Sequence, residues 1–576
     1  MISGAALQHE SREIRFLAVP DQRLPPSPGP RPRDENEPLH YVIDRRKIVF
    51  GLGFGVMTAA GVRHLDEFGV AIPSSSRVET ASNDVASSAA DAPIDTEVPT
   101  NFADAPPTGA AFDAPVLDAT KRLAPGQTAD IVFVGGRVID PETGFDRIAN
   151  VALSGNTIVE ISDQPIAANR EIPAAGLVIS PGFIDMLSYE PNGYGEWWKV
   201  ADGVTTNVGL HGLRFDASEF YDEWTAAGVP INFGGSVHNS FVRQQAAGVD
   251  IFESADGSQI QRIVAAVEAQ VNAGYLGIHV QPEYAPGVSP TELNDMGLLA
   301  ERLGVPLSVH ARFSDNQAPG LQTEAMTELV NVARNTGCHV HVEHINSTGG
   351  TGRMAEALGE IEVALAEGLR MSTCMYPYEF WATYLKAARF DNWQEKYGIS
   401  YGDLQVAGTD QRLTADTYED ARDNNALTAA FAIPAGDLDL GIEAPFMMIG
   451  SDAILERPHN NHPRSTGCFA RTIAQFSRTK GLVDLPTALA MMTIRPATLL
   501  GISSPQMARK GRMQIGADAD ITAFDPLTIA DTSTIENPAQ ESVGVRYVFV
   551  NGTEVRNPEG NITTARPGVA IRSARS

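Results

Sequence analysis

The sequence predicts an α/β protein whose larger part is a (β/α)8 barrel and whose smaller part is a β-sandwich built from both ends of the mature chain. Between residues 181 and 505, apolar strand-like runs alternate with helical stretches at the spacing of repeated βα units. Shorter strands with Gly, Asn and Asp turns lie on both sides of that region. The 576 residues and 43% hydrophobic content are enough for two separate cores.

Residues 1–70 predict an N-terminal extension with an export signal. An Arg-Arg-Lys triplet at residues 45–47 precedes an apolar run rich in Gly and Ala at residues 48–62, which is the form of a twin-arginine signal. A short buried helix is the alternative reading, and Val42 is an alternative start. We expect an exported, periplasmic protein. Residues 71–115, rich in Ala, Ser, Asp and Pro, predict a disordered linker.

The small domain is predicted from residues 116–180 together with residues 506–576, because both pieces have the same pattern of short strands and turns. The strand-forming segments are Ala129 to Val138, Ile148 to Leu153, Thr157 to Ile161, Gly511 to Asp525 and Val545 to Gly552. Pairing between the two pieces would close one sandwich from both ends of the chain.

The barrel is predicted from residues 181–505, with clear helices at Ile260 to Ala273 and Glu324 to Thr336. Its eight strands are Ile184 to Tyr189, Thr205 to Leu210, Ile231 to Val237, Leu276 to Val280, Leu307 to Val309, Val340 to Glu343, Arg370 to Met375 and Phe446 to Gly450. An insertion at residues 376–440 separates the last two strands and is either a lid or an oligomer contact.

Composition excludes several classes of partner. A net charge of −28 and a pI near 4.8 argue against binding to nucleic acid or to an anionic membrane surface. No apolar run after the signal approaches the length of a transmembrane helix, so we expect no stable membrane insertion once the signal is removed. Cys338, Cys374 and Cys468 match no disulfide framework or zinc knuckle and are expected to be buried. A homo-oligomer is left open.

Chemistry-bearing residues fall at the ends of four predicted barrel strands, where the loops share one mouth. His211 ends the second strand, His310 follows the fifth, His344 follows the sixth and Asp452 follows the eighth. A single buried histidine is usually a satisfied core residue, but four such placements in one barrel favour a common site.

The chain resembles the amidohydrolase superfamily and, within it, the D-aminoacylase (N-acyl-D-amino-acid deacylase) branch, over roughly residues 129–570. The matching stretches are Pro181-Gly-Phe-Ile-Asp185, Gly203-Val-Thr-Thr206, Val237-His-Asn-Ser-Phe-Val-Arg243, Tyr284-Ala-Pro-Gly287, His310-Ala-Arg312, His344-Ile-Asn346, Tyr376-Pro-Tyr378, Gly450-Ser-Asp452, His462-Pro-Arg464, Gly516-Ala-Asp-Ala-Asp520 and Val550-Asn-Gly552. One departure is conspicuous, because Leu187 and Tyr189 stand where the family has the first-strand His-x-His.

The resemblance implies a tightly held zinc ion on His310 and His344 together with a cysteine after the second strand. No cysteine is present there, but His211 lies one residue earlier and imidazole is a competent replacement. A second metal would need His-x-His, which Leu187 cannot replace and Tyr189 could replace only weakly. We therefore expect one Zn²⁺ per chain on three histidines, with another divalent transition metal, iron included, as the alternative.

Side-chain alternation along a strand, and position relative to a strand end, indicate which of the neighbouring residues could reach the metal site. Alternation along the sixth strand puts Glu343 on the face opposite His344, with His339 and His341 beside it. Lys199 is a candidate carboxylated metal bridge, but it precedes the second strand instead of ending one.

A catalytic set completes the hypothesis. The resemblance implies that Asp452 takes a proton from a metal-activated water and delivers it to the leaving nitrogen. His238 is expected either to supply a missing ligand or to polarise the carbonyl. The substrate-binding candidates are Tyr284, Arg312, Asn346, Tyr378 and Arg464.

The two arginines among these candidates suit two-point binding of a carboxylate, although structural ion pairs are the alternative. Tyr284 and Tyr378 are equally compatible with a role as core or interface residues. Asn346 stands where the family has lysine, which puts its part in carboxylate recognition in doubt.

These residues leave two hypotheses about function, one an enzyme and the other a binding or regulatory protein. The first is an exported metal-dependent hydrolase that cleaves a C–N amide bond of an N-acyl amino acid or a related small amide or cyclic imide. The second is a noncatalytic binding protein or regulatory subunit that has lost the His-x-His ligands. Retention of His310, His344 and Asp452 favours the first.

Overall fold

The computed structural model describes residues 112–314, 322–456 and 462–575. The predicted export signal and nearly all of the predicted linker lie outside these residues. Within them, no helix combines the length and the apolar character needed to cross a bilayer.

Residues 183–375 alternate strands and helices in the order expected for βα units. The strands are β1 (Ala129–Asp140), β2 (Phe145–Ser154), β3 (Thr157–Ser162), β4 (Ala168–Pro173), β5 (Val178–Pro181), β6 (Phe183–Asp185), β7 (Val204–Leu213), β8 (Asn232–His238), β9 (Ile278–Val280), β10 (Leu307–Val309), β11 (Val340–Val342), β12 (Met371–Met375), β13 (Trp381–Tyr384), β14 (Leu404–Val406), β15 (Leu427–Ala430), β16 (Met447–Ile449), β17 (Ile521–Phe524), β18 (Val545–Val550), β19 (Thr553–Asn557) and β20 (Gly560–Asn561). The α-helices are α1 (Gly195–Ala201), α2 (Ala217–Ala227), α3 (Asn239–Val242), α4 (Gly257–Asn272), α5 (Pro290–Leu303), α6 (Gln322–Thr336), α7 (Met354–Ala366), α8 (Trp393–Tyr397), α9 (Ala415–Asp423), α10 (Ala435–Glu443), α11 (Arg464–Arg471), α12 (Leu485–Met492) and α13 (Ile494–Gly501).

The predicted barrel is confirmed as a sheet of eight parallel strands in the order β16-β12-β11-β10-β9-β8-β7-β6. Its two ends meet where the Asp452 amide donates to the Leu187 carbonyl at 2.6 Å. The central strands are buried along their whole length and contain no Asp, Glu, Lys or Arg, as expected for strands of a parallel sheet covered on both faces.

Local sequence signals set the helix ends. At α4 the Asp256 side chain accepts from the Gln259 amide while the Gln259 side chain accepts from the Asp256 amide, a reciprocal capping box. The same helix buries Ile260, Ile263 and Val267, at helical spacing, against the barrel core.

The small sheet joins strands from both ends of the described chain. Its nine strands include β1 to β5 from before the barrel and β17 to β20 from after it, and β5 pairs antiparallel with β17. Its apolar core is separate from that of the barrel and contains Phe133, Val151, Ile515 and Phe549. The domain boundaries given above stay predictions.

The insertion forms a separate sheet of three strands in the order β13-β15-β14. Trp381, Phe390 and Trp393 are buried and belong to the same apolar cluster as the barrel strands. The insertion is therefore packed onto the barrel.

A metal-binding cluster at the mouth of the barrel

Four side chains converge at the carboxyl end of the barrel. His211 lies in β7, His310 follows β10, and Glu343 and His344 follow β11. One ligand atom from each lies within 4.8 Å of every other, and all four side chains are buried. The structure thus brings together the three histidines expected from the sequence and adds a carboxylate.

His310 and His344 present their inner nitrogens to each other, with His310 Nδ1 3.2 Å from His344 Nε2. Their outer nitrogens have partners: Glu283 Oε2 lies 2.7 Å from His310 Nε2, and Ser347 Oγ lies 3.1 Å from His344 Nδ1. Imidazoles that bind a metal are held in this way, with the second nitrogen fixed by a carboxylate or another polar group.

The electrostatics of the cluster favour a cation. Burial alone would lower the pKa of His211, but Glu343 and Asp452 outweigh burial and raise it. Burial alone would raise the pKa of Glu283, but Arg389 and His310 lower it to about 2, so this carboxylate is ionised. The pKa of His310 and of His344 is lowered, mainly by burial, which leaves both rings neutral as metal ligands require. Three imidazoles with nearby carboxylates fit a divalent transition metal.

Glu343 does not lie where strand parity predicted. Its oxygens accept from His211 Nδ1 at 2.6 Å, His279 Nδ1 at 2.8 Å and Ser308 Oγ at 2.6 Å. The alternation of side chains stops because β11 ends at Val342, and His344 takes a left-handed φ of 23°. Both residues therefore reach the same cluster, and the assignment of Glu343 to the opposite face was wrong.

Asp452 lies beside the cluster with both oxygens in contact with donors. Tyr189 Oη donates to Oδ1 at 3.1 Å, and Arg464 Nη2 donates to Oδ2 at 2.9 Å. His344 Nε2 is 3.7 Å from the same Oδ2. Burial alone would raise the pKa of Asp452, but Arg464, His344 and His211 lower it overall. The carboxylate is therefore ionised and can accept a proton.

The two candidate arginines differ in position. Arg464 lines the cavity at the mouth, and its Nε and Nη1 are buried with no partner among the described residues. Arg312 instead pairs with Glu328 through two bonds of 2.8 and 2.9 Å and donates to the Val288 carbonyl. This is the structural ion pair that the sequence left open as the alternative, and a contact between Arg312 and substrate stays a prediction.

Of the remaining candidates, the ring of Tyr284 lies 4.9 Å from that of His310. His238 lines the cavity, stacks on Phe241 at 4.3 Å and contacts Gln281 at 3.1 Å. Its ring is also edge-on to that of His279 at 4.8 Å, and none of these contacts involves His310 or His344.

Asn346 and Tyr378, like Tyr284, do not line the cavity. Asn346 is buried and donates to the Tyr376 carbonyl at 2.9 Å. Tyr378 packs edge-on against His462 and beneath Arg471. Asn346 Oδ1 and Tyr378 Oη are buried with no hydrogen-bond partner among the described residues, and contact of either side chain with substrate stays a prediction.

The two residues in the place of His-x-His have different environments. Leu187 is fully buried in an apolar cluster with Val208, Cys374 and Met448. Tyr189 lines the cavity, which has a volume of about 210 Å³, and its ring is edge-on to His211 at 5.4 Å. The first strand therefore contributes packing and one hydroxyl to the site.

The insertion also lines the cavity, through Ala382, Thr383, Tyr384 and Leu427. The insertion is thus part of the pocket, whatever further role it has.

Lys199 is not at the metal cluster. Its Nζ lies 2.6 Å from Asp185 Oδ2 and 2.7 Å from Ser451 Oγ, and all three side chains are buried. The Ser451 amide also donates to Asp185 Oδ1 at 3.0 Å. This ion pair fixes the segment before Asp452, which has a left-handed φ of 49°, and it agrees with the sequence argument against Lys199 as a carboxylated metal bridge.

Comparison with known proteins agrees with this geometry. The family model described as "Amidohydrolase family" matches residues 231–556, more than half of the chain. The N-acyl-D-glutamate deacylase of Alcaligenes xylosoxydans xylosoxydans is 28% identical, over 74% of this chain and 93% of its own.

Two solved structures are similar over nearly the same range. The N-acyl-D-glutamate deacylase of Bordetella bronchiseptica, complexed with zinc and a phosphonate inhibitor, is 26% identical with a TM-score of 0.67 and covers 78% of this chain and 100% of its own. A D-aminoacylase is 26% identical with a TM-score of 0.68 and covers 77% and 100%.

The chain belongs to the amidohydrolase family. It is a hydrolase of the class that acts on carbon–nitrogen bonds other than peptide bonds. Within the family it lies in the D-aminoacylase branch, as the sequence motifs indicated.

Proposed function

We propose that this enzyme hydrolyses the amide bond of N-acyl amino acids, foremost of the D series, with one zinc ion held by His211, His310 and His344. A related small amide or cyclic imide is the alternative substrate within the same chemistry. The observation that carries the proposal is the meeting of three imidazoles with Asp452 at the mouth of the barrel. The relatives named as N-acyl-D-glutamate deacylase and D-aminoacylase support the substrate class.

A divalent ion at these imidazoles would supply Lewis-acid polarisation of the amide carbonyl and a water with its pKa lowered from about 16 to about 7. Asp452 accepts the proton of the attacking water and returns it to the leaving nitrogen. Tyr189 and Arg464 hold the two Asp452 oxygens, which orients the carboxylate for both transfers.

Arg464 has a second task in this proposal. Because Nη2 holds Asp452 while Nε and Nη1 have no partner among the described residues, the guanidinium can also donate to the substrate carboxylate. This would place the carboxylate of the amino acid next to the catalytic acid, with the insertion residues Thr383 and Tyr384 lining the same cavity.

The test combines metal analysis with a substrate screen on one preparation of the purified chain. We expect one tightly bound divalent ion per chain and hydrolysis of one or more compounds from a panel of N-acyl-D-amino acids, N-acyl-L-amino acids and cyclic imides. Asp452→Asn should lower kcat by a factor of about 100 to 10,000. Asp437→Asn is the control, since this aspartate is also buried but accepts from the Gly352 amide away from the cavity.

Two results would contradict the proposal. An unchanged kcat in Asp452→Asn would remove the assigned proton transfer. A folded chain that binds no metal and hydrolyses nothing in the panel would leave a ligand-binding role as the better account.

We also propose that the enzyme is exported by the twin-arginine pathway to the periplasm. The support is the Arg-Arg-Lys triplet at residues 45–47 and the apolar run after it. Fractionation of cells that express the full chain should place it in the periplasm, and replacing both arginines by lysine should retain it in the cytoplasm.

A further inference from the structure

We propose that Arg389, a residue of the insertion, is a positioning residue for the metal centre, acting on His310 through Glu283 and on His344 through Ser347. The inference rests on the proposed metal site. It concerns how the histidines are held and does not depend on which amide is hydrolysed.

The first arm of this arrangement runs through Glu283. Arg389 Nη1 lies 4.0 Å from Glu283 Oε2, and the same oxygen lies 2.7 Å from His310 Nε2. The other oxygen of Glu283 accepts from Ser314 Oγ. Arg389 is 3% exposed and Glu283 is 6% exposed, so water screens their attraction little.

The second arm runs through Ser347. Arg389 Nη2 donates to the Ser347 carbonyl, and Ser347 Oγ lies 3.1 Å from His344 Nδ1. The Ser347 amide also donates to the His344 carbonyl at 2.8 Å, in the turn that gives His344 its left-handed φ. One guanidinium therefore contacts the partners of both histidines whose inner nitrogens face each other.

The insertion in turn fixes the guanidinium. Its carbon lies 4.1 Å from the centroid of the Trp381 ring, a cation–π contact, and Tyr397 Oη donates to the Arg389 carbonyl at 3.0 Å. Tyr397 Oη is also 3.2 Å from Ser314 Oγ, so the same tyrosine touches a partner of Glu283. Docking of the insertion and orientation of the two imidazoles are thus one packed network.

Arginine suits this role because one nitrogen of its planar fork donates to the Ser347 carbonyl while the other lies within ion-pair distance of Glu283. Lysine carries the charge but, as a point donor, cannot hold the Glu283 carboxylate and the Ser347 carbonyl in the same geometry. The loss of partners that orient metal-binding histidines typically weakens metal affinity by a factor of about 10 to 100.

The experiment measures metal affinity without turnover. Chelator-stripped full-length chain is titrated with Zn²⁺ in competition with a chromophoric chelator, and Co²⁺ loading gives a visible spectrum that reports ligand geometry. Arg389→Gln should bind Zn²⁺ about 10- to 100-fold more weakly than the wild type and alter the Co²⁺ spectrum. The Zn²⁺ affinity of Arg389→Lys should lie between that of the wild type and that of Arg389→Gln. Glu283→Gln should weaken Zn²⁺ binding as much as Arg389→Gln does.

The matched control is Arg243→Gln, which removes another fully buried arginine paired with a glutamate, Glu292. It should lower the free energy of unfolding and leave Zn²⁺ affinity within about twofold of the wild type, because Arg243 contacts neither histidine partner. If Arg389→Gln does not fold, the Zn²⁺ affinities of Arg389→Lys and Glu283→Gln are compared with the wild type instead.

Either of two results would overturn the inference: unchanged affinity in Arg389→Gln, or an equal loss in Arg243→Gln. The first would leave the proposed function intact. A wild-type chain that binds no divalent metal would instead remove the proposed function and this inference together.

Discussion

Replacing Glu196 by Gln should stabilise the protein at alkaline pH. Glu196 lies in the first turn of α1, is 3% exposed, and its Oε1 has no hydrogen-bond partner among the described residues. Burial raises its pKa from 4.5 to about 8, and the charge of Arg566 only partly opposes the rise. The side chain is therefore neutral in the folded protein at pH 7, whereas the unfolded chain has released the proton.

The sign and size follow from proton linkage. Between pH 4.5 and about 8 the folded state binds one more proton than the unfolded state at this site, so stability falls as pH rises through that window. At about 1.4 kcal/mol per pH unit, the fall is about 5 kcal/mol across the whole window. Glutamine has nearly the same shape and no proton to lose, so the advantage of Glu196→Gln should grow by about 4 kcal/mol between pH 5 and pH 8.5.

The assay is chemical unfolding at a series of pH values, followed by tryptophan fluorescence, to which the adjacent Trp197 and Trp198 contribute. Asp202, whose pKa burial raises to about 7, adds a slope of its own, but that slope is common to wild type and variant and cancels in the difference. Glu219→Gln is the control, because Glu219 is also in the first turn of a helix but is exposed. Parallel pH profiles for wild type and Glu196→Gln would refute the reasoning.

Three further predictions concern the site and its surroundings. Lys199→Met should lower the free energy of unfolding by about 3 to 5 kcal/mol by leaving Asp185 buried without its partner, and adding Asp185→Asn should restore part of it; equal losses in the single and double variants would contradict this. Tyr189→Phe should lower the free energy of unfolding by about 1.5 to 3 kcal/mol, since it removes a hydrogen bond to a buried carboxylate; a melting temperature equal to wild type would count against that bond. Zn²⁺ at about 100 times its Kd should raise the free energy of unfolding of the stripped protein by about 2.7 kcal/mol, measured by thermal melting, and His310→Ala should abolish the effect.

The barrel could be predicted because its buried strands are rich in apolar residues and alternate with helical stretches along the sequence. Leu307–Val309 is a strand in both the prediction and the structure, and α6 begins two residues before its predicted start. The strand-end rule then placed His211, His310 and His344 correctly at one mouth. Parity failed at Glu343 because it assumes an extended backbone, and the strand stops one residue earlier.

The residues that hold the metal-site histidines in place could be predicted less well from the sequence. Glu283 follows β9 by three residues, so the strand-end rule applied to the fourth predicted strand would have found it. Arg389 carries no such signal, because it lies in an insertion 42 residues from Ser347 and its role depends on how that insertion packs. Arg312 is paired with Glu328, and the sequence could not choose between this ion pair and a substrate contact because it does not show which side chains of the predicted helix face the arginine.

The sheet shared by both ends of the chain has a consequence for synthesis on the ribosome. β5 is synthesised early, but its partner β17 is synthesised only after the whole barrel. The backbone of Phe233, in β8, likewise hydrogen-bonds to the segment around Ile571, which is synthesised later still. Until then two strand edges are open, and open edges invite pairing between chains. Native pairing of both edges therefore has to wait until the barrel has been synthesised, and a nascent chain stalled before β17 would be the species most in need of a chaperone.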